Sequence, residues 1–124
     1  MAGKRLLICD DQPDFAEFVR MVAEPMGYDV QVLTRSTRFA ESYEAFQPSV
    51  IVLDMVMPDV DGTEIVRWLS QRRSTARIII ASGFSPKYAE MARLIGKARG
   101  LLNVTTLTKP IAVDALRSAL ADGA

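Results

Sequence analysis

Histidine is missing from the 124 residues, and cysteine occurs once, at Cys9. Without an imidazole there is no histidine-based nucleophilic triad, and the commonest zinc sites cannot be built. One cysteine forms no internal disulfide and no thiolate cluster. Nothing beside Cys9 would lower its pKa, so it reads as inert core and suits a reducing, cytoplasmic setting. Net charge is missing too, since fifteen Lys and Arg balance fifteen Asp and Glu. A neutral chain carries no electrostatic footprint for direct contact with nucleic acid or an anionic membrane. Long apolar runs are also absent. The run behind Lys4 and Arg5 is shorter than the roughly 7–15 residues of a signal peptide and the about 20 of a membrane span. There is no low-complexity tract, linker or internal repeat. These absences leave a soluble, cytoplasmic protein that works without cysteine, histidine or a membrane.

What is present is apolar material in a regular order. Hydrophobic residues make up 49% of the chain, enough for one folded domain spanning 1–124. "RLLIC" (5–9), "VIVL" (50–53) and "RIIIA" (77–81) are apolar at successive positions, the pattern of strands covered on both faces. "YDVQVL" (28–33) alternates like an edge strand, and "NVTTLT" (103–108) is a β-branched, more polar fifth strand. Helical spacing fills the intervals. Phe15, Phe18, Val19, Val22 and Met26 form a stripe opened by Pro13 and closed at Gly27, with Pro25 tightening its last turn. Ser36 is positioned to cap a second helix bearing Phe39, Tyr43 and Phe46. Further helices run from about Thr63 to Arg72, from about Pro86, and through Val113, Leu116 and Leu120. Strand and helix alternate throughout, which predicts a doubly wound α/β fold, (βα)5, flavodoxin-like. The expected parallel sheet has five strands in the order 2-1-3-4-5, with its ligand crevice between strands one and three.

Carboxylates gather at the strand ends that face this crevice. Strand one runs into Asp10 and Asp11, strand three into Asp54, strand four into Ser82, and strand five into Thr108, Lys109 and Pro110. Three carboxylates in one cleft repel one another unless some protonate or a cation joins them. An all-oxygen site with room for water favours Mg²⁺, with Mn²⁺ as a substitute. Such a site handles phosphoryl groups: an Asp attacks phosphorus and carries the group as an acyl phosphate. Mg²⁺, Ser82 and Lys109 would each take one equatorial oxygen. Asp54 then reads as a nucleophile on a rigid strand, with "MPDVDG" carrying the chain away from it.

In order and spacing, "LLICDDQPD", "VIVLDMVMPDVDG", "IIIASGF" and "LTKPI" resemble the motifs of the response-regulator receiver domain of two-component signalling. The resemblance implies a CheY-like fold, Mg²⁺-dependent phosphorylation of Asp54, and a sensor histidine kinase or His-containing phosphotransfer protein as donor. It makes Asp10 and Asp11 the acidic pair at the metal and the backbone carbonyl of Val56 the third protein ligand. Ser82 takes the hydroxyl role, Lys109 pairs with phosphate, and Pro110 follows a cis bond. A homodimer through the face of helix four, strand five and helix five is common in the family, and the first helix is its kinase-docking surface. The chain thus reads as a stand-alone or excised receiver: a signalling switch that catalyses only its own phosphorylation and dephosphorylation.

Two departures from the family pattern stand out. Thr106 occupies the position, three before the lysine, where the family carries a switching aromatic, which leaves Phe84 or Tyr88 as steric substitutes. Val56 is apolar where many members place a polar group near the attacking water, and slower hydrolysis is expected from it. The alternative to a phosphorylated switch is a pseudo-receiver, an interaction module without phosphate chemistry. The intact acidic pair, Asp54 and Lys109 argue against that alternative. A dehalogenase-type phosphatase would want an Asp at Val56, and a flavodoxin-type cofactor site would not gather carboxylates at the strand ends.

Overall fold

A computed structural model describes residues 4–57, 61–83, 86–101 and 103–121 of the chain. Its strands are β1 (Lys4–Cys9), β2 (Tyr28–Leu33), β3 (Val50–Asp54), β4 (Arg77–Ser82) and β5 (Val104–Thr108). They form one parallel sheet in the order β2-β1-β3-β4-β5, with Leu6 beside Val50, Val50 beside Arg77 and Ser82 beside Thr108. The five helices are α1 (Pro13–Ala23), α2 (Phe39–Phe46), α3 (Gly62–Gln71), α4 (Pro86–Ala98) and α5 (Val113–Ala121).

The continuous apolar runs are explained by two cores, one on each side of the sheet. Leu7, Cys9, Ile51, Leu53, Ile78 and Ile80 face Phe39 of α2, Val66 and Leu69 of α3, and Ala92 of α4. Their alternate neighbours Leu6, Ile8, Val50, Val52, Ile79 and Ala81 face Ala16 and Val19 of α1 and Leu116 and Leu120 of α5. Side chains alternate across a strand, so only a strand covered on both faces needs every position apolar. Each large side chain buried in this way contributes about 1.5–3 kcal/mol. These burials fix the register and bring every strand's carboxyl end to the same edge.

Helix ends follow local chemistry. Pro13 starts α1, where its missing N–H costs nothing, and a 3-10 turn at Glu24–Met26 carries Pro25. Gly27 closes the turn at φ 95°, a left-handed conformation that suits glycine. The expectation that Ser36 caps the second helix needs correction. Ser36 instead opens a 3-10 turn, Ser36–Arg38, and α2 begins only at Phe39 with Arg38 in the cap position and no side-chain cap bond. Burial of Phe39 and its edge-on contact with Trp68 anchor that helix in place of a cap. The Lys109–Pro110 peptide is cis, as the family resemblance implied.

Candidate functional site

β1 and β3 are neighbours whose following helices lie on opposite faces of the sheet, so a crevice opens beyond their carboxyl ends. Asp10 follows β1 directly and is fully buried, at 0% exposure. Its Oδ1 accepts from the Gln12 backbone N–H at 2.8 Å, and its Oδ2 accepts from Lys109 Nζ at 2.9 Å. A carboxylate this deep requires such partners. Asp11 is partly exposed and lines the cleft. Asp54 ends β3 at 6% exposure, and its Oδ1 accepts from the Val56 N–H at 3.3 Å. One carboxylate oxygen from each of Asp10, Asp11 and Asp54 falls within 4.8 Å of the others.

Lys109 enters from the far side. Its backbone N–H donates to the Ser82 carbonyl at 2.7 Å, which ties the residue after β5 to the end of β4. Nζ lies 3.9 Å from Asp54 Oδ1, 3.2 Å from Gln12 Oε1 and 4.2 Å from the centre of the Phe15 ring. One ammonium thus faces three carboxylates. Burial, then the Asp10 charge, with Asp11 adding to it, push the Asp54 carboxyl up to about 6 against the opposing pull of Lys109 and the Val56 N–H. This uncompensated negative charge, the hard all-oxygen donors and an adjoining cleft of about 360 Å³ fit Mg²⁺.

The β3–α3 connection shapes the other wall. Met55 and Met57 point into the core, while Val56 is 49% exposed and lines the cleft. Val56 forms an antiparallel bridge with Asp61, and the Gly62 N–H donates to the Met55 carbonyl at 3.2 Å. A Cβ on Gly62 would sit 3.0 Å from Met55 Cα, so only glycine lets α3 begin this close behind Asp54. Asp61 caps α3, accepting from the Thr63 N–H and hydroxyl at 2.8 Å and from the Tyr88 hydroxyl. Burial works against the Asp61 carboxylate, but the bonds from Tyr88 and Thr63 outweigh it and hold the carboxyl below its usual range.

Asp10, Asp11, Asp54 and Lys109 therefore converge as the sequence suggests, with Val56 beside them. Ser82 sits at the end of β4 but is buried, and Gly83 rather than Ser82 lines the cleft there. Thr106 lies in β5 opposite Ile80. Of its two suggested aromatic substitutes, Tyr88 is bonded to Asp61, and Phe84 lies outside the described residues, as do residues 58–60 of the turn after Asp54. Sequence reading missed Gln12, Phe15 and Asp61 at the site. Gln12 adjoins the acidic pair and Asp61 precedes a helix, but neither position reveals which side chain it meets.

The family model described as the response regulator receiver domain matches residues 6–121. The chain belongs to that family. The receiver is 30% identical to the transcriptional regulatory protein TrcR of Mycobacterium tuberculosis, over 91% of this chain and 51% of that protein. It is 31% identical to the chemotaxis protein CheY of Thermotoga maritima, over 64% of this chain and 68% of that one. It superposes on the signal receiver domain of a proposed Luxo repressor protein from Vibrio parahaemolyticus with a TM-score of 0.81 and 25% identity, covering 97% of this chain and 88% of that one. The receiver spans about half the length of TrcR and 43% of the PhoP protein of Bacillus subtilis. Receiver domains are signalling switches of two-component systems, and this one has the CheY-like fold. Among its described residues no helix is long and apolar enough to cross a membrane.

Proposed function

We propose that this receiver accepts a phosphoryl group on Asp54 in a Mg²⁺-dependent reaction. The donor would be the phosphohistidine of a sensor histidine kinase or of a phosphotransfer protein. The observation that carries this reading is the Asp54 carboxyl itself, buried at the tip of β3 between an acidic pair and one lysine, with its pKa raised to about 6. Near neutral pH such a group is mostly ionised, hence nucleophilic, and poorly compensated in charge.

The Asp54 oxygen attacks phosphorus as the P–N bond of the donor breaks, and the bonding pair leaves with the imidazole nitrogen. Asp10, Asp11, Asp54 and the Val56 carbonyl would hold Mg²⁺, which supplies neutralisation of the phosphoryl oxygens. Lys109 pairs with another oxygen, and the Ser82 hydroxyl would have to turn from its buried position at the end of β4 into the cleft to donate to a third. The Val56 N–H, already bonded to Asp54, holds the nucleophile in place before reaction. Exposed Met91 and Leu94 on α4 and Val113 on α5 support the α4–β5–α5 face as the output and homodimer surface of a cytoplasmic switch.

Intact mass after incubation with acetyl phosphate tests the reading. A Mg²⁺-dependent gain of one phosphoryl group, lost in Asp54→Ala, is expected. A folded protein that gains nothing from acetyl phosphate or from several kinases would instead be a pseudo-receiver.

A further inference from the structure

Lys109 is already held on three sides. Its ammonium donates to Asp10 Oδ2 at 2.9 Å and Gln12 Oε1 at 3.2 Å and lies over the Phe15 ring. An ammonium has three donors and no acceptor, so the Gln12 carboxamide presents its oxygen and one N–H remains for the cleft. Asp54 Oδ1, at 3.9 Å, is beyond hydrogen-bond range of that donor. The partners on Lys109 differ in kind. Asp10 opposes its charge, whereas the carboxamide orients the ammonium and leaves the charge intact. The Gln12 side chain is also separable from the acidic pair, because the bond to Asp10 Oδ1 comes from the Gln12 backbone.

We propose that Gln12 is a positioning residue for phosphoryl transfer. With the Phe15 face behind it, its carboxamide fixes the Lys109 ammonium at the cleft mouth and presets one N–H for a phosphoryl oxygen. This inference rests on the reading of Asp54 as acceptor. A free lysine loses much rotamer freedom when it pairs, and a preset ammonium has lost it before the reaction begins. A cation bound by Asp10 would compete with Lys109 for that carboxylate. The Gln12 oxygen and the Phe15 ring are then the parts of the seat that persist.

Gln12→Met keeps the length but removes the acceptor, and Gln12→Glu keeps an acceptor at the same reach. The readouts are the order of Lys109 Nζ by ¹⁵N NMR on metal-free protein and the initial rate of Asp54 labelling by acetyl phosphate with saturating Mg²⁺. Gln12→Met should leave the ammonium mobile and slow labelling roughly three- to tenfold, the scale of one lost hydrogen bond. Its melting temperature should not change, since Gln12 is exposed. Gln12→Glu should restore the order of Nζ. An ammonium as ordered in Gln12→Met as in wild type overturns the proposal, as does lost order with unchanged labelling. If wild type is not labelled at all, the reading of Asp54 fails, and the order of Nζ alone still decides whether Gln12 seats the lysine.

Discussion

Ionising Asp54 costs more in the folded chain than in the unfolded one, because burial and then the neighbouring Asp10 charge raise its carboxyl from 3.8 to about 6. The folded state therefore holds this proton more tightly than the unfolded state. The penalty is absent below about pH 4, grows as pH rises toward the folded pKa, and is fully developed above it. At about 1.4 kcal/mol per pK unit the gap caps near 3 kcal/mol, and solvent in the open cleft reduces it. Asp54→Asn should accordingly stabilise the metal-free protein by about 1–3 kcal/mol at neutral pH and by little near pH 4. Urea unfolding at both pH values measures the difference. Equal stabilities of variant and wild type at neutral pH would mean that the carboxylate is not held at a cost.

At the scale of elements, legibility followed the reach of each interaction. "VIVL" and "RIIIA" announce central strands because both faces of the sheet are covered, and Pro13 and Gly27 mark the ends of one helical segment through backbone geometry alone. Ser36 misled because a residue suited to capping does not reveal whether an α-helix or a 3-10 turn follows it. The end of α5 could not be read at all, since its partners are remote in sequence. Arg77 donates to the carbonyls of Ala119 at 2.6 Å and Leu120 at 2.8 Å, and the Tyr28 hydroxyl donates to Leu120 at 2.5 Å. In the sequence Arg77 is only the first residue of a strand. In the fold its guanidinium closes the last turn of a helix on the same face of the sheet as α1. Arg77→Met should cost about 2–3 kcal/mol in chemical unfolding and lower hydrogen-exchange protection in α5. Arg77→Lys should recover only part, because one ammonium does not reproduce the two-armed contact. Unchanged protection in α5 would show that its packing through Leu116 and Leu120 suffices.

For the whole molecule, the site was legible where topology alone decides it. Strand order brings Asp10, Asp11, Asp54 and Lys109 to one edge, so recognising the alternation was enough to assemble them. Gln12 and Phe15 stayed hidden because they meet Lys109 across about a hundred residues of chain, through side-chain reach that no periodicity encodes. The assembled charges have a consequence for stability. With three carboxylates against one ammonium, the folded state is the one that gains from a divalent cation, since the unfolded chain does not hold these residues together. Mg²⁺ should therefore raise the melting temperature progressively, by about 2.7 kcal/mol of added stability at a hundred times its dissociation constant. Protons compete for the same oxygens, so the gain should be larger above pH 6 or so than near pH 5. Mn²⁺ should substitute, and sodium at matched ionic strength should not. Asp11→Ala, which removes the partly exposed carboxylate and keeps the buried Asp10 and Asp54, should flatten the response while leaving the metal-free melting temperature close to that of wild type. A melting temperature indifferent to millimolar Mg²⁺ at neutral pH would mean that the cluster does not bind the ion, and that Lys109 alone balances the carboxylates.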